Sequence, residues 1–383
     1  MKRMLYHLFV TSKKKGVTMS TLFDIWHTTQ ARLFPWLEER LDPLSEKEER
    51  LVQVVSLMDL SKHMREYRWI GIGRKREDRA SIAKAFVAKA VYNFETTKVL
   101  IEYLHGCKNL RRLCGWETRG DIPSESTFSR AFAEYSRGCL PQKIHEAMVK
   151  THCGGKLAGH VSRDATAIEA REKTVKKQGD ESAPGPKRKR GRPKQGEEVA
   201  PRPPKRLDVQ GGRSLEENLL DLPYHCSVGT KKDSKGYKMT WRGYKLHIDC
   251  IDGDIPVSAL LTSASLHDSQ AAIPLMQLTS ERVVSLYDLM DAAYDAPQIK
   301  EFSETLFHVP IIDPNPRRGE KIPLDPARKA RFAQRSSVER VNSYLKDNHG
   351  GSHIRVKGAS KVMAHLMFGL IVITANQLFH LLC

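Results

Sequence analysis

The sequence has no pair of cysteines at the two-residue spacing of a zinc ribbon or zinc finger, and its seven cysteines are odd in number and scattered. This spacing argues against a small zinc domain, and a disulfide framework does not suit a chain of 383 residues without a secretory signal. The first residues, MKRMLYHLFVTSKKKG, contain only a short apolar run, below the length of a signal-peptide core. We expect residues 1–19 to form a poorly ordered leader, with Met19 as a second candidate start.

Long apolar runs are also scarce. One stretch, residues 362–383, is largely apolar over 22 residues, but His365, Asn376, Gln377 and His380 interrupt it. Such side chains are costly in lipid unless they are paired, so the stretch predicts a buried terminal helix that docks on a core. No lipidation signal and no amphipathic basic helix stand out, and we expect no membrane partner.

Positive charge is abundant. Lys plus Arg outnumber Asp plus Glu by 63 to 45, which gives a net charge of +18. A charge of this size favours polyanionic partners, with nucleic acid first among them, although a merely soluble basic protein has the same composition.

Residues 20–155 are predicted to be helical, because apolar residues recur every three or four positions in residues 51–60 and 80–103. Ser124 is a candidate N-cap for a helix that follows it. Two interpretations of this region stay open: a DNA-end-binding domain built on helix-turn-helix geometry, and a plain helical bundle with a solvated basic face. The basic residues concerned are Lys108, Arg111, Arg112, Arg119 and Arg130.

Residues 173–212 are rich in Lys, Arg, Pro and Gly and nearly lack large apolar residues, which predicts a disordered basic insertion. Within it, the segment KRKRGRPK resembles an AT-hook, whose arginines, here Arg190 and Arg192, would enter a narrow minor groove. General attraction of a basic linker to phosphate is the alternative.

The remainder of the chain alternates strand and helix patterns. Together they predict an α+β or α/β fold over residues 156–383, with an RNase H-like mixed sheet flanked by helices and preceded by the all-helical N-terminal domain. Strands are predicted at residues 160–166, 239–251, 255–261, 282–289 and 306–312, and helices at residues 266–278, 295–302 and 327–348.

Three acidic residues are candidates for chemistry. Asp164 lies within a predicted strand, where an Asp is disfavoured unless a metal or a cation balances it. Asp291 follows a strand, at the sheet edge where ligands bind in α/β proteins, and a helix N-cap role fits Asp295 better. Glu339 lies on a predicted helix and shares one face with Arg335 and Lys346, a pattern that a solvated surface also produces.

The spacing R-x3-E-x6-K, formed by Arg335, Glu339 and Lys346, resembles the signature of a group of DDE-type insertion-sequence transposases. Phe332 stands where that signature has a tyrosine. Other blocks resemble the same group in the same order: residues 162–173 around Asp164, 242–247 (RGYKLH), 262–269, and 289–295 (LMDAAYD) around Asp291.

The resemblance implies an enzyme that cleaves DNA at transposon ends and joins the freed 3′-OH to target DNA by two-metal-ion catalysis. Asp164, Asp291 and Glu339 would bind Mg²⁺, with Mn²⁺ able to substitute. Arg335 and Lys346 would hold phosphates. The implied partner is double-stranded DNA, both transposon ends and target, with the enzyme acting as a homodimer in the cytoplasm, at the nucleoid.

Further DNA contacts are predicted at four residues. Lys245 and His247 alternate on one strand face and either contact the DNA end, support the site or lie on a solvent face. Arg317 and Arg318 belong to a rigid basic loop, PNPRRG, placed before the third acid. Two other functions stay open: a related metal-dependent nuclease, and a non-catalytic sequence-specific DNA-binding protein derived from a transposase.

Overall fold

The computed structural model describes residues 22–71, 73, 76–175, 204–232, 236–314 and 323–382. The predicted leader, residues 1–19, and most of the predicted basic insertion lie outside these residues.

The N-terminal region is helical, as the apolar periodicity predicts. Its helices begin at residues with the expected capping chemistry: Ser45 and Glu48 form a capping box, and Ser124 is the N-cap of α8. The helices are α1 (Leu22–Thr28), α2 (Phe34–Glu38), α3 (Glu46–Leu57), α4 (Leu60–His63), α5 (Arg79–Val91), α6 (Thr97–Gly106), α7 (Lys108–Cys114), α8 (Glu125–Arg137) and α9 (Leu140–His152), with a π-helical turn at Thr29–Leu33.

A six-stranded mixed sheet follows, and the predicted fold class is confirmed. Its order is β2-β3-β1-β5-β6, with β4 paired to β3. Strand β1 is antiparallel to β3 and parallel to β5, and β5 is parallel to β6. The strands are β1 (Leu157–Glu169), β2 (Ser227–Lys232), β3 (Lys238–Ile251), β4 (Ile255–Ser263), β5 (Val284–Met290) and β6 (Val309–Ile312).

Helices cover both faces of this sheet. They are α10 (Arg206–Gln210), α11 (Leu215–Asp221), α12 (Ser269–Ser280), α13 (Pro297–Thr305), α14 (Pro326–Phe332), α15 (Ser336–Asn348) and α16 (Ala359–His380). The single helix predicted over residues 327–348 is wrong in one respect, because a 3-10 turn, Ala333–Arg335, separates α14 from α15. That turn changes the helical phase just before the acidic residue of interest, Glu339.

The predicted disordered insertion extends too far at its C-terminal end. Residues 204–212 include helix α10, where Leu207 packs against an apolar cluster and Gln210 is fully buried. Gln210 Nε2 donates to the backbone carbonyl of Gln270, 2.8 Å away, which ties α10 to α12. Composition did not reveal this segment, because one leucine and one buried amide are enough to dock a helix of this length.

The last helix, α16, packs inside the N-terminal region. Phe368 lies 5.7 Å from Phe86 of α5 and 6.4 Å from Phe132 of α8, measured between ring centroids. One buried core therefore joins α3, α5, α8 and α9 to α16 and to the edges of β1, β3 and β4. Helix α16 is long and apolar enough to cross a membrane, but 78% of its most apolar window is buried inside the protein. The predicted docking helix is confirmed.

Gly369 lets α16 and α15 approach closely. A Cβ atom at this position would lie 2.6 Å from Leu345 Cδ1 and 2.7 Å from the carbonyl oxygen of His349. We expect Gly369→Ala to lower the free energy of unfolding by about 1–3 kcal/mol, because backbone and a packed side chain have to move. Chemical denaturation measures this, with Gly106→Ala as the control, since a Cβ there meets no atom within 4 Å. Equal stability of the two variants would contradict the close approach.

Candidate active site

Asp164 lies in the middle of β1 and faces helix α15. Its cross-strand partner in β3 is Ile248. Asn342 Nδ2, from α15, donates a hydrogen bond to Asp164 Oδ2 at 3.1 Å. On the same strand face, Ser162 Oγ donates to the carbonyl oxygen of Gln334 at 3.3 Å. The expectation that this carboxylate is held in a strand is therefore confirmed, and its immediate partner is an amide.

Asp291 is the first residue after β5. The paired register of β1 and β5 ends at Ser162 and Leu289, and extending it by two residues places Asp164 level with Asp291. The charge of Asp291 acts on Asp164, which agrees with that placement. The Asp291 side chain accepts a hydrogen bond from the backbone N–H of Ala293 at 2.9 Å and caps the 3-10 turn Ala292–Tyr294. Our assignment of the cap role to Asp295 is wrong, because Asp295 forms an ion pair with Lys300 instead.

Glu339 lies in the first turn of α15 and is paired with Arg335, as their spacing predicts. The guanidinium of Arg335 also approaches Asp164, with Nη1 3.9 Å from Oδ1. Arg335 therefore joins the third acid to the first. Its guanidinium also lies 5.8 Å from the ring centroid of Phe332, the residue that replaces the signature tyrosine.

The electrostatics of the two aspartates suit a cation. Burial raises the pKa of Asp164 to about 6, opposed by Arg335 and reinforced by the charge of Asp291. Burial also raises the pKa of Asp291. Two half-buried carboxylates that act on each other and are disfavoured in their charged form fit a divalent metal ion, which favours that form. Among the described residues, no group of three His, Cys, Asp or Glu is clustered closely enough to hold a metal, and Glu339 is paired with Arg335.

Two lysines extend the positive charge around the aspartates. Burial lowers the pKa of Lys346, and repulsion by Lys231 adds to that effect, while Asp164 opposes it. Lys231 also acts on Asp164 and Asp291, and it belongs to strand β2. The sequence analysis did not find Lys231, because the short segment SVGTKK lacks the apolar alternation that identifies a strand.

Lys245 and His247 share one face of β3, but this face is covered. Lys245 Nζ donates to the carbonyl oxygen of Leu266 and to Asp268 Oδ1, both at 2.8 Å. His247 is fully buried beside Thr262, with 2.9 Å between Nε2 and Oγ1, and burial lowers the pKa of His247 to about 4. Direct DNA contact by His247 is therefore wrong, as is the solvent-face alternative for both residues. Support of the site is the role their positions allow.

Tyr294 ends the turn that Asp291 caps. Its hydroxyl is buried and has no hydrogen-bond partner among the described residues. Burial raises the pKa of Tyr294 well above its usual value, and the charges of Asp268, Asp164 and Asp291 add to this. The hydroxyl therefore keeps its proton and is a donor close to the acidic residues.

A buried ion network lies on the other face of β1, next to Asp164 in sequence. Arg163 is 1% exposed, and its Nη2 lies 2.5 Å from Asp249 Oδ2 and 4.0 Å from Asp288 Oδ1. Asp288 also accepts hydrogen bonds from Ser303 Oγ and from His308 Nδ1. The network fixes β1, β3 and β5 together beneath the catalytic candidates. Sequence reasoning missed it, because a charged residue in a strand does not show which charges meet it.

The other predicted DNA contacts, Arg190, Arg192, Arg317 and Arg318, lie outside the described residues. The segment between α7 and α8 is longer than the turn of a helix-turn-helix unit, so these two helices do not form that motif. The DNA-end-binding role of the N-terminal region stays a prediction.

Two protein-family models match parts of the chain. Residues 208–375 match the Transposase DDE domain, and residues 39–134 match the Transposase domain (DUF772). The first match includes Asp291 and Glu339 and begins after Asp164. No curated protein and no solved structure matches the chain.

Proposed function

Because this chain belongs to the DDE-type transposases, we propose that Asp164, Asp291 and Glu339 are its catalytic carboxylates. The chain is a DNA transposase, an enzyme of a family that depends on divalent metal ions and binds DNA. The assignment is supported by the register of β1 and β5, which when extended by two residues beyond Ser162 and Leu289 places Asp164 level with Asp291, and by the hydrogen bond to Asp164 from Asn342 on the helix that bears Glu339. This supports Asp164 although the DDE family match begins after it.

Each acidic residue has a distinct part in the proposal. Asp164 and Asp291 hold the metal, since partial burial raises the pKa of both carboxylates and makes their charged forms unfavourable without a counter-ion. Glu339 completes the site when it leaves Arg335. When bound, a pair of Mg²⁺ ions, for which Mn²⁺ substitutes, would polarise the scissile phosphate and its nucleophile. Tyr294 keeps its hydroxyl proton at neutral pH, because burial and the charges of Asp164 and Asp291 raise its pKa.

The cations of the site are placed for phosphate. Arg335 is free to bind a DNA phosphate once Glu339 is released, and a guanidinium suits such a contact because it donates two hydrogen bonds at once. Lys346 and Lys231 add positive charge on the same side. Lys245 supports the site indirectly, because its ion pair with Asp268 fixes the start of α12 against β3.

The proposed reaction has two displacements at phosphorus. Water first cleaves the phosphodiester at the transposon end and leaves a 3′-OH. That 3′-OH then attacks a phosphodiester of target DNA, so one bond forms as another breaks and no external energy source is needed. Because two ends have to be joined to one target, we propose a homodimer on DNA, in the cytoplasm at the nucleoid.

The domain roles are proposed along the same lines. Residues 20–155 bind the DNA end and residues 156–383 carry the catalytic sheet. The basic insertion, including Arg190 and Arg192, and the loop with Arg317 and Arg318 add contacts to DNA. None of these arginines has a described position, so their roles rest on charge alone.

An assay of cleavage and joining tests the proposal. The purified chain is mixed with duplexes copied from the DNA that flanks its coding sequence, a plasmid target, and Mg²⁺, Mn²⁺ or a chelator. We expect nicking at the element's end and joined products with either metal, and neither with the chelator, because the carboxylates alone cannot activate water. Nicking without joining would support the nuclease alternative, and binding without nicking in either metal would support the non-catalytic one.

A further inference from the structure

The loop that connects α4 to α5 carries large apolar and basic side chains into solvent. Ile70 is 82% exposed and Trp69 is 43% exposed. Arg65, Arg68 and Arg76 are exposed beside them. We call these five residues the basic-apolar loop. It lies in the helical N-terminal region, outside the catalytic sheet.

Both ends of the loop are anchored, so its exposed side chains are held at the surface of the fold. At one end Met64 is buried, and the ring of Tyr67 packs edge-on against Tyr135 of α8, with ring centroids 5.4 Å apart. At the other end Asp78 caps α5, accepting hydrogen bonds from the backbone N–H groups of Ala80 and Ser81 at 3.2 and 3.1 Å.

The charge of the exposed surface is positive. Besides the helix cap, two acidic residues lie in the same loop. Glu66 Oε2 is 3.6 Å from Nζ of Lys143 of α9, and Glu77 is exposed beside Arg76 and acts on Arg79. With Lys143, the three arginines outnumber these two acids, so the described charges around Trp69 and Ile70 are net positive. Two adjacent exposed apolar side chains among arginines form a small surface with both apolar and cationic character, which suits an anionic partner that also offers an apolar contact.

Duplex DNA has groups that bind both the cationic and the apolar side chains of this surface. Arginine neutralises backbone phosphates, while an apolar wedge enters a base step and an aromatic ring stacks on a base that has lost its neighbour. We propose that the basic-apolar loop binds the duplex of the transposon end, with Arg65, Arg68 and Arg76 on phosphates and Trp69 and Ile70 at a base step that they unstack. The identity of that DNA rests on the proposed function, whereas duplex binding by the loop does not require catalysis.

Binding measured without catalysis tests this proposal. Fluorescence anisotropy in the presence of a chelator compares two duplexes of equal length, one copied from the DNA flanking the coding sequence and one unrelated, each also made with 2-aminopurine at successive positions. The variants are Arg65→Gln/Arg68→Gln/Arg76→Gln and Trp69→Ala/Ile70→Ser. Leu220→Ser is the matched apolar control, because Leu220 is 80% exposed on α11, and Lys98→Gln is the control for charge.

We expect the arginine variant to bind both duplexes at least about 10-fold more weakly near 0.1 M salt. The slope of log affinity against log salt should become shallower by about two to three, since each lost phosphate contact removes about one. The tryptophan and isoleucine variant should bind the flanking duplex about 10-fold more weakly, with an unchanged salt slope, and should lose the rise in 2-aminopurine fluorescence that marks unstacking. The two controls should bind like the native chain.

Several results would overturn the proposal. One is affinity within twofold of the native chain for both loop variants, measured on chains with unchanged melting curves. Another is a change in molar mass in light scattering for Trp69→Ala/Ile70→Ser without a change in DNA affinity, which would assign the loop to contact with a second copy of the chain. A chain that binds through the loop but never cleaves would leave this proposal standing and refute the proposed catalytic function.

Discussion

Replacement of Asp164 by asparagine is expected to reduce cleavage of the transposon end by at least about 10³-fold, or about 4 kcal/mol of transition-state stabilisation. The side chain keeps its shape but loses the charge that holds a metal ion. Asp291→Asn should have the same effect, because the two carboxylates lie at one level of adjacent strands. Single-turnover cleavage of a duplex end in saturating Mg²⁺ measures both variants.

In contrast to their effect on cleavage, Asp164→Asn and Asp291→Asn should not lower the stability of the metal-free protein. Burial and the neighbouring carboxylate raise the pKa of Asp164 to about 6, so the charged form weakens the folded state at neutral pH. Without metal, Asp164→Asn should therefore melt at the same temperature as the native chain or higher. Added Mg²⁺ should raise the melting temperature of the native chain and leave that of Asp164→Asn unchanged.

Asp252→Asn is the control for both measurements. Asp252 is also acidic and lies near β1, where it pairs with His160, but its side chain is 48% exposed and outside the site. It should retain cleavage and its response to Mg²⁺. Full activity in the Asp164 variant would remove this residue from the catalytic set and leave the first acid to be found elsewhere in the chain.

Replacement of Arg163 by methionine is expected to lower the free energy of unfolding by about 3–5 kcal/mol, because it leaves Asp249 and Asp288 buried without their cation. A loss of this size is a large part of the total stability of an ordinary domain. Urea denaturation measures it. The control is Arg340→Met, which removes an exposed Arg–Asp pair with Asp254 and should cost no more than about 1 kcal/mol.

The pH dependence of the free energy of unfolding identifies why Arg163→Met is less stable than the native chain. Burial already raises the pKa of Asp249, and Arg163 opposes that rise. Without Arg163 the folded pKa should rise further above the unfolded value, so the folded variant binds a proton that the unfolded chain releases. Its stability therefore falls as pH increases, and the deficit should be smaller near pH 5 than near pH 8. A deficit independent of pH would indicate lost packing instead of an unpaired carboxylate.

Local signals in the sequence were sufficient for the main elements of the catalytic region. The strands around Asp164 and before Asp291 are present because their β-branched and apolar residues fit a partly buried sheet. Strand β2 was not predicted, since SVGTKK lacks apolar alternation and has only one β-branched apolar residue. It forms by pairing with β3, the next strand in the chain, and strand formation depends on such cross-strand neighbours more than on the segment's own residues.

In the candidate site, too, the contacts within one segment were predicted and the contacts between segments were not. Alternation along β3 correctly put Lys245 and His247 on one face, but it could not show that α12 and Asp268 cover that face. The spacing of Arg335 and Glu339 predicted their contact, which is local to one helix end. The approach of Arg335 to Asp164 and the hydrogen bond from Asn342 depend on how that helix crosses the sheet, and no spacing within either segment determines this.

Helix α16 has a consequence for the order in which the protein can be made. Phe86 and Phe132 are synthesised early, yet the ring they pack against belongs to Phe368. Contacts between residues so far apart form late and slowly. The N-terminal helices therefore expose an apolar cleft until residues 359–380 have been synthesised. A chain interrupted before that point would keep the cleft open and be a target for cellular proteases, so only molecules that already possess the whole catalytic region would survive to act on DNA.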